Sequence, residues 1–233
     1  VPIGACSVMF AEPRNVIAMT GDHDYIYPLA VAIHSLATAV SQPVHLDFAI
    51  PGDWEKVLFR KDLDFLRGLV MSVGWEFEIV EVPLTAEGLP RTRHISSMTF
   101  MKPAYLDVST RRQVAFLDGD LIATRDWSAL LNTMPNTTTL EAAHETNMHG
   151  FEKHWMPSRP PNWYFNAGVF RARPELWQTC YTERWRRLLA EFHSHQFSFL
   201  EQDIMNATLL GRTGLLPAEL NCRPAYGDNP SSG

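Results

Sequence analysis

The chain has 233 residues, room for one large domain or two small ones. An apolar share of 45%, with 7 Trp and 13 Phe, is ample for a core and leaves large rings for stacking. A net charge of −6 works against a general nucleic-acid binder, because phosphate contacts need a basic surface; a local pocket for one small anion stays open.

Val16-Ile17-Ala18-Met19 reads as a first strand opening into a polar turn, Thr20 to Tyr25. Ile26, Leu29, Ile33, Leu36 and Val40 recur at helical spacing, with Pro28 suited to the first turn. Val44, Leu46, Phe48 and Ile50 alternate as a second strand, closed by Pro51-Gly52-Asp53. Asp53 is the expected N-cap of a helix carrying Val57, Leu58, Leu63, Leu66 and Leu69. Trp75 to Val82 alternates as a third strand, and Pro83 to Pro90 is a loop. A basic, polar stretch from Arg91 to Thr99 leads into a helix over Phe100 to Val108, with Lys102 early in it.

Val114-Ala115-Phe116-Leu117 is a short apolar strand that ends in Asp118-Gly119-Asp120. The strand suits burial, but two unpaired carboxylates do not, so a positive partner is expected. An Asp-x-Asp pair at the carboxyl end of a strand is shaped for a divalent cation, and Gly119 lets a bound ligand approach the backbone. Asp126 should cap a short helix through Leu131, and Thr137 to Ala143 is a strand. His144 to Asn162 has no periodicity and reads as a long functional loop. Trp163 to Phe170 is a strand, Pro174 to Phe192 one amphipathic helix, and Phe199 to about Leu210 another; Leu215 to Pro224 holds one short strand at most.

Strands and helices alternate over the first part, which predicts a largely parallel sheet with helices on its faces. Ligands in such sheets bind at the carboxyl ends of the strands, where Thr20 to Tyr25 and the Asp118/Asp120 pair would sit. No internal repeat or linker divides the chain, so one domain over 1–233 is expected. Cys6, Cys180 and Cys222 are odd in number and lack zinc spacing, which fits a reduced compartment with thiols buried or inert. No stretch suits a membrane span and the N-terminus lacks a basic leader, so a cytoplasmic protein is expected, with peripheral membrane contact and oligomeric state left open.

Five segments taken together resemble glycosyltransferase family 8. They are Ile17 to Tyr25, His94-Ile95-Ser96, Leu117-Asp118-Gly119-Asp120, Tyr164 to Val169 and Glu201 to Asn206, in that order over about Val16 to Pro224. The nearest likeness is to bacterial lipopolysaccharide-type galactosyl- and glucosyltransferases, with glycogenin more distant. The resemblance implies an α/β, Rossmann-like GT-A fold with a central mixed, mostly parallel sheet. It also implies transfer of a hexose, with retention, from a UDP-sugar (UDP-glucose or UDP-galactose) to a carbohydrate or other hydroxyl acceptor.

On that resemblance Asp118 and Asp120 are ligands to Mn2+ or Mg2+, which oxygen donors favour and which neutralises the leaving diphosphate. Thr20, Asp22 and Tyr25 form the nucleoside pocket, with Tyr25 stacked on uracil, while Gly119 and Lys102 also face the donor. Gln202 stands on the reacting face of the sugar. An amide is a poor nucleophile, so the residue is expected to stabilise a cationic transition state during front-face attack. Asn166, Ala167, Glu201, Asp203, His94 and Glu145 are the expected sugar contacts. For Lys102, Glu201 and Asp203 an exposed helix lysine and acids suited to a helix N-terminus are the plainer alternatives.

The family closes its catalytic domain with a His-x-x-Gly-x-x-Lys-Pro-Trp-like segment, whose His binds the metal and whose Lys binds the diphosphate. The sequence stops before one, so either a C-terminal part is missing or the metal site is incomplete. Two other readings follow. One is a non-catalytic nucleotide-sugar-binding module needing a further segment or a partner. The other is a nucleotidyltransferase, which would normally open with a Gly-rich basic loop that Thr20 to Tyr25 lacks.

Overall fold

The computed structural model describes residues 15–92, 95–145, 164–192 and 197–222. Its strands are β1 (Val16–Met19), β2 (His45–Pro51), β3 (Glu76–Val82), β4 (Val114–Leu117), β5 (Leu140–His144), β6 (Phe165–Ala172) and β7 (Gly214–Leu215). They form one sheet in the order β3-β2-β1-β4-β6-β5-β7. β3, β2, β1 and β4 are mutually parallel, β6 is antiparallel to both β4 and β5, and β7 is parallel to β5. This is the mixed, mostly parallel sheet expected, with β6 the reversed strand.

Helices α1 (Ile26–Ala39) and α2 (Arg60–Ser72) cover one face. α3 (Met101–Val108), α4 (Pro174–Cys180), α5 (Thr182–Ala190) and α6 (Leu200–Leu209) cover the other. Strand periodicity divides the core between them: Val16 and Ala18 pack under the second set, Ile17 and Met19 under the first. Covered on both faces, β1 and β4 bury every residue and need no polar alternation. Phe116 stacks on Phe170 with centroids 5.5 Å apart and meets the edge of Tyr105 at 6.0 Å. Burying one such ring contributes about 1.5–3 kcal/mol.

Three local expectations change. The single helix over Pro174 to Phe192 is two, broken at Tyr181. The break falls in Thr179-Cys180-Tyr181-Thr182, a run of weak helix formers. Tertiary bonds set both halves: Asp107, whose side chain is 1% exposed, accepts from Trp177 Nε1 (3.0 Å), Thr182 Oγ1 (2.6 Å), Trp185 Nε1 (2.9 Å) and Arg186 Nε (2.8 Å). Asp53 does not cap the next helix; it accepts from Ala86 N at 2.6 Å and Glu87 N at 3.3 Å and so ties two loops together. That helix begins at Arg60, where Asp62 takes the cap role by accepting from Phe59 N at 2.9 Å. Finally, Cys180 and Cys222 are free but exposed rather than buried. Cys6 and positions 146–162 of the expected loop lie outside the described residues.

The chain runs outward from β1 to β2 and β3, then returns to place β4 on the other side of β1. That reversal opens a crevice at the carboxyl ends of β1 and β4. Ala18 pairs with Phe116, so Thr20 and Asp118, two residues on, stand at the same level of the rim. Because β6 is reversed, its first residues reach this rim as well; Asp118 N donates to Gly168 O at 2.8 Å.

Candidate active site at the carboxyl rim

A cleft of about 440 Å³ opens at this crevice. Three elements wall it: the turn after β1 gives Thr20, Gly21 and Tyr25, the turn after β4 gives Asp118, Gly119 and Asp120, and α6 gives Glu201 and Gln202. Asn166 and Gly168 of β6, Ser96 and Lys102 also line it. Asp118, Asp120, Asn166 and Gly168 also border a second hollow of about 1010 Å³ beside Trp127 and Leu220, so the two aspartates stand on the ridge between them.

Both turns rest on one side chain. A Cβ at Gly21 would come within 2.8 Å of Leu29 Cδ1, and one at Gly119 within 2.9 Å of Leu29 Cγ. Glycine between the aspartates therefore answers first to buried Leu29 of α1, and only then to any ligand. The helical spacing of Leu29 in the sequence carries no signal for this contact.

Lys102 is not an exposed helix lysine. It is 2% exposed, and its Nζ lies 2.6 Å from Asp118 Oδ1 and 2.9 Å from Glu201 Oε1, and donates to Ala167 O at 3.1 Å. Burial alone would lower its ammonium, but the two carboxylates outweigh that and hold it above the ordinary lysine value. Burial pushes the Asp118 carboxyl up to about 6 against the pull of Lys102, with Glu201 and Asp120 adding to the rise. The Tyr25 phenol is raised by burial and then by Asp120, Asp22 and Asp118.

The other expected residues divide. Thr20 lines the cleft, and its hydroxyl donates to Ala49 O at 2.9 Å. Asp22 turns from the cleft: Oδ2 accepts from Ser96 Oγ at 2.5 Å, and buried Oδ1 has no hydrogen-bond partner. Asn166 donates to Glu145 Oε2 at 3.2 Å and accepts from Gly168 N at 2.8 Å and Asn221 Nδ2 at 2.9 Å. Glu145 is thus buried behind Asn166. Ala167 contributes its backbone, the O to Lys102 and the N to Gln202 Oε1 at 3.0 Å. Asp203 is 1% exposed and lies behind Gln202, accepting from Tyr164 Oη, Ser198 N and Phe199 N. His94 lies outside the described residues.

The donor set at the ridge fits a hard cation. Asp118 gives Oδ1 to Lys102 and keeps Oδ2 on the side of Gly168, where a Cβ would come within 3.0 Å of it. Asp120 is exposed and takes no hydrogen bond or ion pair among the described residues. Three carboxylate oxygens on one short turn, one of Asp118 and two of Asp120, therefore stay open. A second group, His45, Asp47 and Glu78, also brings ligand atoms within 4.8 Å of one another. It lies at the amino end of the sheet, and a guanidinium already fills it: Arg111 reaches Asp47 Oδ1 at 2.9 Å and Glu78 Oε2 at 2.5 Å.

The family model described as glycosyl transferase family 8 matches residues 16–232. Solved structures share the fold. A galactosyltransferase, LgtC, in complex with donor and acceptor sugar analogues is 20% identical with a TM-score of 0.71; the match covers 87% of this chain and 73% of that one. The bifunctional glycosyltransferase WbbM is 18% identical with a TM-score of 0.67, over 93% of this chain and 40% of that one. The glycosyltransferase GlyE of Streptococcus pneumoniae TIGR4 is 21% identical with a TM-score of 0.61, over 89% and 46%. A comparison with curated proteins found no match.

Proposed function

This chain belongs to glycosyl transferase family 8, and on that premise we propose that it is a retaining glycosyltransferase that moves a hexose from a UDP-sugar to a hydroxyl acceptor. UDP-glucose and UDP-galactose are the donors proposed, with Mn2+ or Mg2+ as cofactor and residues 1–233 as one catalytic domain. The observation that carries the reading is the meeting of Asp118, Asp120, buried Lys102 and Gln202 in one cleft at the sheet's switch point.

Asp118 Oδ2 and Asp120 would hold the cation, which when bound supplies positive charge to the donor diphosphate. Tyr25 offers a ring at the far wall for the base, and Thr20 and Gly21 offer backbone beside it. Lys102 stays charged beside Asp118 and keeps that carboxylate turned toward the cleft. Gln202 faces the same space from α6 and would stabilise positive charge as it develops on the sugar. Asn166 is anchored at both ends of its amide and would position a sugar hydroxyl. Asp22 would support the base or ribose from behind through Ser96. Free, exposed Cys180 and Cys222 fit a reducing, cytoplasmic setting. No helix among the described residues is long and apolar enough to cross a membrane.

The test is binding followed by turnover. UDP with manganese should raise Tm more than either alone, and UDP should be released from UDP-glucose or UDP-galactose when an acceptor is present. Binding without any release would favour the non-catalytic module, and pyrophosphate formed from UTP and a sugar phosphate would favour the nucleotidyltransferase.

A further inference from the structure

We propose that Tyr164 and Asp203 form a buried positioning relay that holds the side-chain amide of Gln202 in one orientation, and that sugar transfer depends on that orientation. The second half rests on the reading of Gln202 above; the first half does not.

The proton directions follow from what each group can do. The backbone N–H of Ala167 can only donate, and it lies 3.0 Å from Gln202, so the carbonyl end of the amide must face it. The NH2 end then faces Tyr164 Oη at 3.1 Å, and the phenol oxygen must accept. The phenol's own proton is left for Asp203 Oδ1, with which it makes a short bond. Asp203 ends the chain as acceptor, and its Oδ2 takes Ser198 N at 2.6 Å and Phe199 N at 2.8 Å. Donation thus runs one way, from Gln202 to Tyr164 to Asp203.

The same carboxylate sets the backbone. Ser198 and Phe199 lead into α6 through Leu200, whose φ of +42° lies in the left-handed region that is costly for a non-glycine residue. Two hydrogen bonds to Asp203 hold that turn against the cost. Asn206 locks the neighbouring strand, donating to Phe165 O and to Gln202 O at 2.9 Å each. Tyr164 and Asp203 are 0% and 1% exposed, and neither lines the cleft. They act through Gln202, so both are positioning residues.

The test uses the whole chain with Tyr164→Phe, Asp203→Asn and Gln202→Ala. In 15N spectra the Gln202 side-chain amide is the signal missing from Gln202→Ala. It should exchange slowly in the wild type and about 10-fold faster or more in Tyr164→Phe. In turnover Tyr164→Phe should lower kcat about 10- to 100-fold with little change in KM for the UDP-sugar. The same change should cost nothing further in a Gln202→Ala background. Should Tyr164→Phe fail to fold, Asp203→Asn carries the same readings, because its NH2 must face one of the three donors. Unchanged exchange at Gln202 would overturn the relay, as would costs that simply add, which mark a structural role alone. If the wild type turns over no UDP-sugar while the exchange still quickens, the relay stands and the donor reading fails.

Discussion

The two ends of the sheet treat an aspartate in opposite ways. At the amino end Asp47 is enclosed by Tyr105 Oη (2.5 Å), Arg111 Nε (3.0 Å) and Nη2 (2.9 Å), and His45 Nε2 (3.0 Å). At the carboxyl end the Asp118 carboxylate has the Lys102 ammonium, and the Asp118 backbone N–H donates to Gly168 O. Burial raises both carboxyls. At Asp47 the bonds from His45, Arg111 and Tyr105 win, and its pKa falls below the ordinary value. At Asp118 one ammonium does not win, and the carboxyl rises to about 6. The amino end is balanced within itself. Among the described residues, the carboxyl end sets Asp118, Asp120 and Glu201 against a single lysine, an excess of negative charge that a bound cation would relieve.

The sharpest way to break this contrast is one substitution at each end. Asp120→Ala should cost transfer about 10²–10³-fold or more and abolish the manganese-dependent gain in Tm with UDP. It should leave the Tm of the free chain nearly unchanged, because Asp120 is exposed. Asp47→Ala should do the reverse. It leaves the buried Tyr105 hydroxyl without its acceptor and Arg111 with Glu78 alone, and should cost about 3–5 kcal/mol in urea unfolding, with kcat per folded molecule retained. A metal-dependent gain that survives Asp120→Ala would remove the aspartate pair from the cation site.

Much of the frame was legible because it is written locally. The apolar runs of β1 and β4, the alternation in β2 and the helical spacing of α1 need only short windows. Their order alone puts Thr20 and Asp118 on one rim. What escaped is written between distant residues. Lys102 and Glu201 are 99 positions apart, and nothing near Lys102 in the chain says that it is buried. Tyr164 stands 39 residues from Asp203 and looks like an ordinary strand aromatic until α6 is laid across β6. The same distance effect hid the partners of Asp203, since placement on a helix start does not reveal which way a carboxylate turns. Leu29 under two glycines is a third instance.

A smaller effect should come from Gly168→Ala, which tests how open the ridge must be. The new Cβ would meet Asn166 Oδ1 at 2.8 Å and Asp118 Oδ2 at 3.0 Å. Asn166 would give way first, loosening its bonds to Glu145 and Asn221, and the methyl would narrow the approach to Asp118. Manganese affinity, read by calorimetry with UDP, should fall about 10-fold, the scale of a disturbed supporting contact. No comparable loss should follow from Arg111→Met at the amino end, even where that variant melts earlier. Equal losses from both would mean that the two ends are not independent.

The least of the effects is on pH, and it sharpens the amino end alone. His45 is raised above its ordinary 6.5, first by its bond to Asp47, against the opposing pull of burial, with Glu76 adding to the rise. Its contribution to stability is therefore fully present below pH 6.5 and is lost as pH climbs through the raised value. Asp47 is lowered from its ordinary 3.8, so its contribution is present above that pH and is lost as pH falls through the depressed value. Between the two ordinary values both groups are charged in the folded chain and the cluster is at its strongest. His45→Gln should then lower Tm most between about pH 4 and 6.5, by no more than the 2–4 °C or so that 1 kcal/mol moves a chain of this size. Above the raised value the gap between variant and wild type should close. A gap that stays constant across that range would mean that His45 packs at the amino end without carrying charge there, and that Arg111 alone balances Asp47.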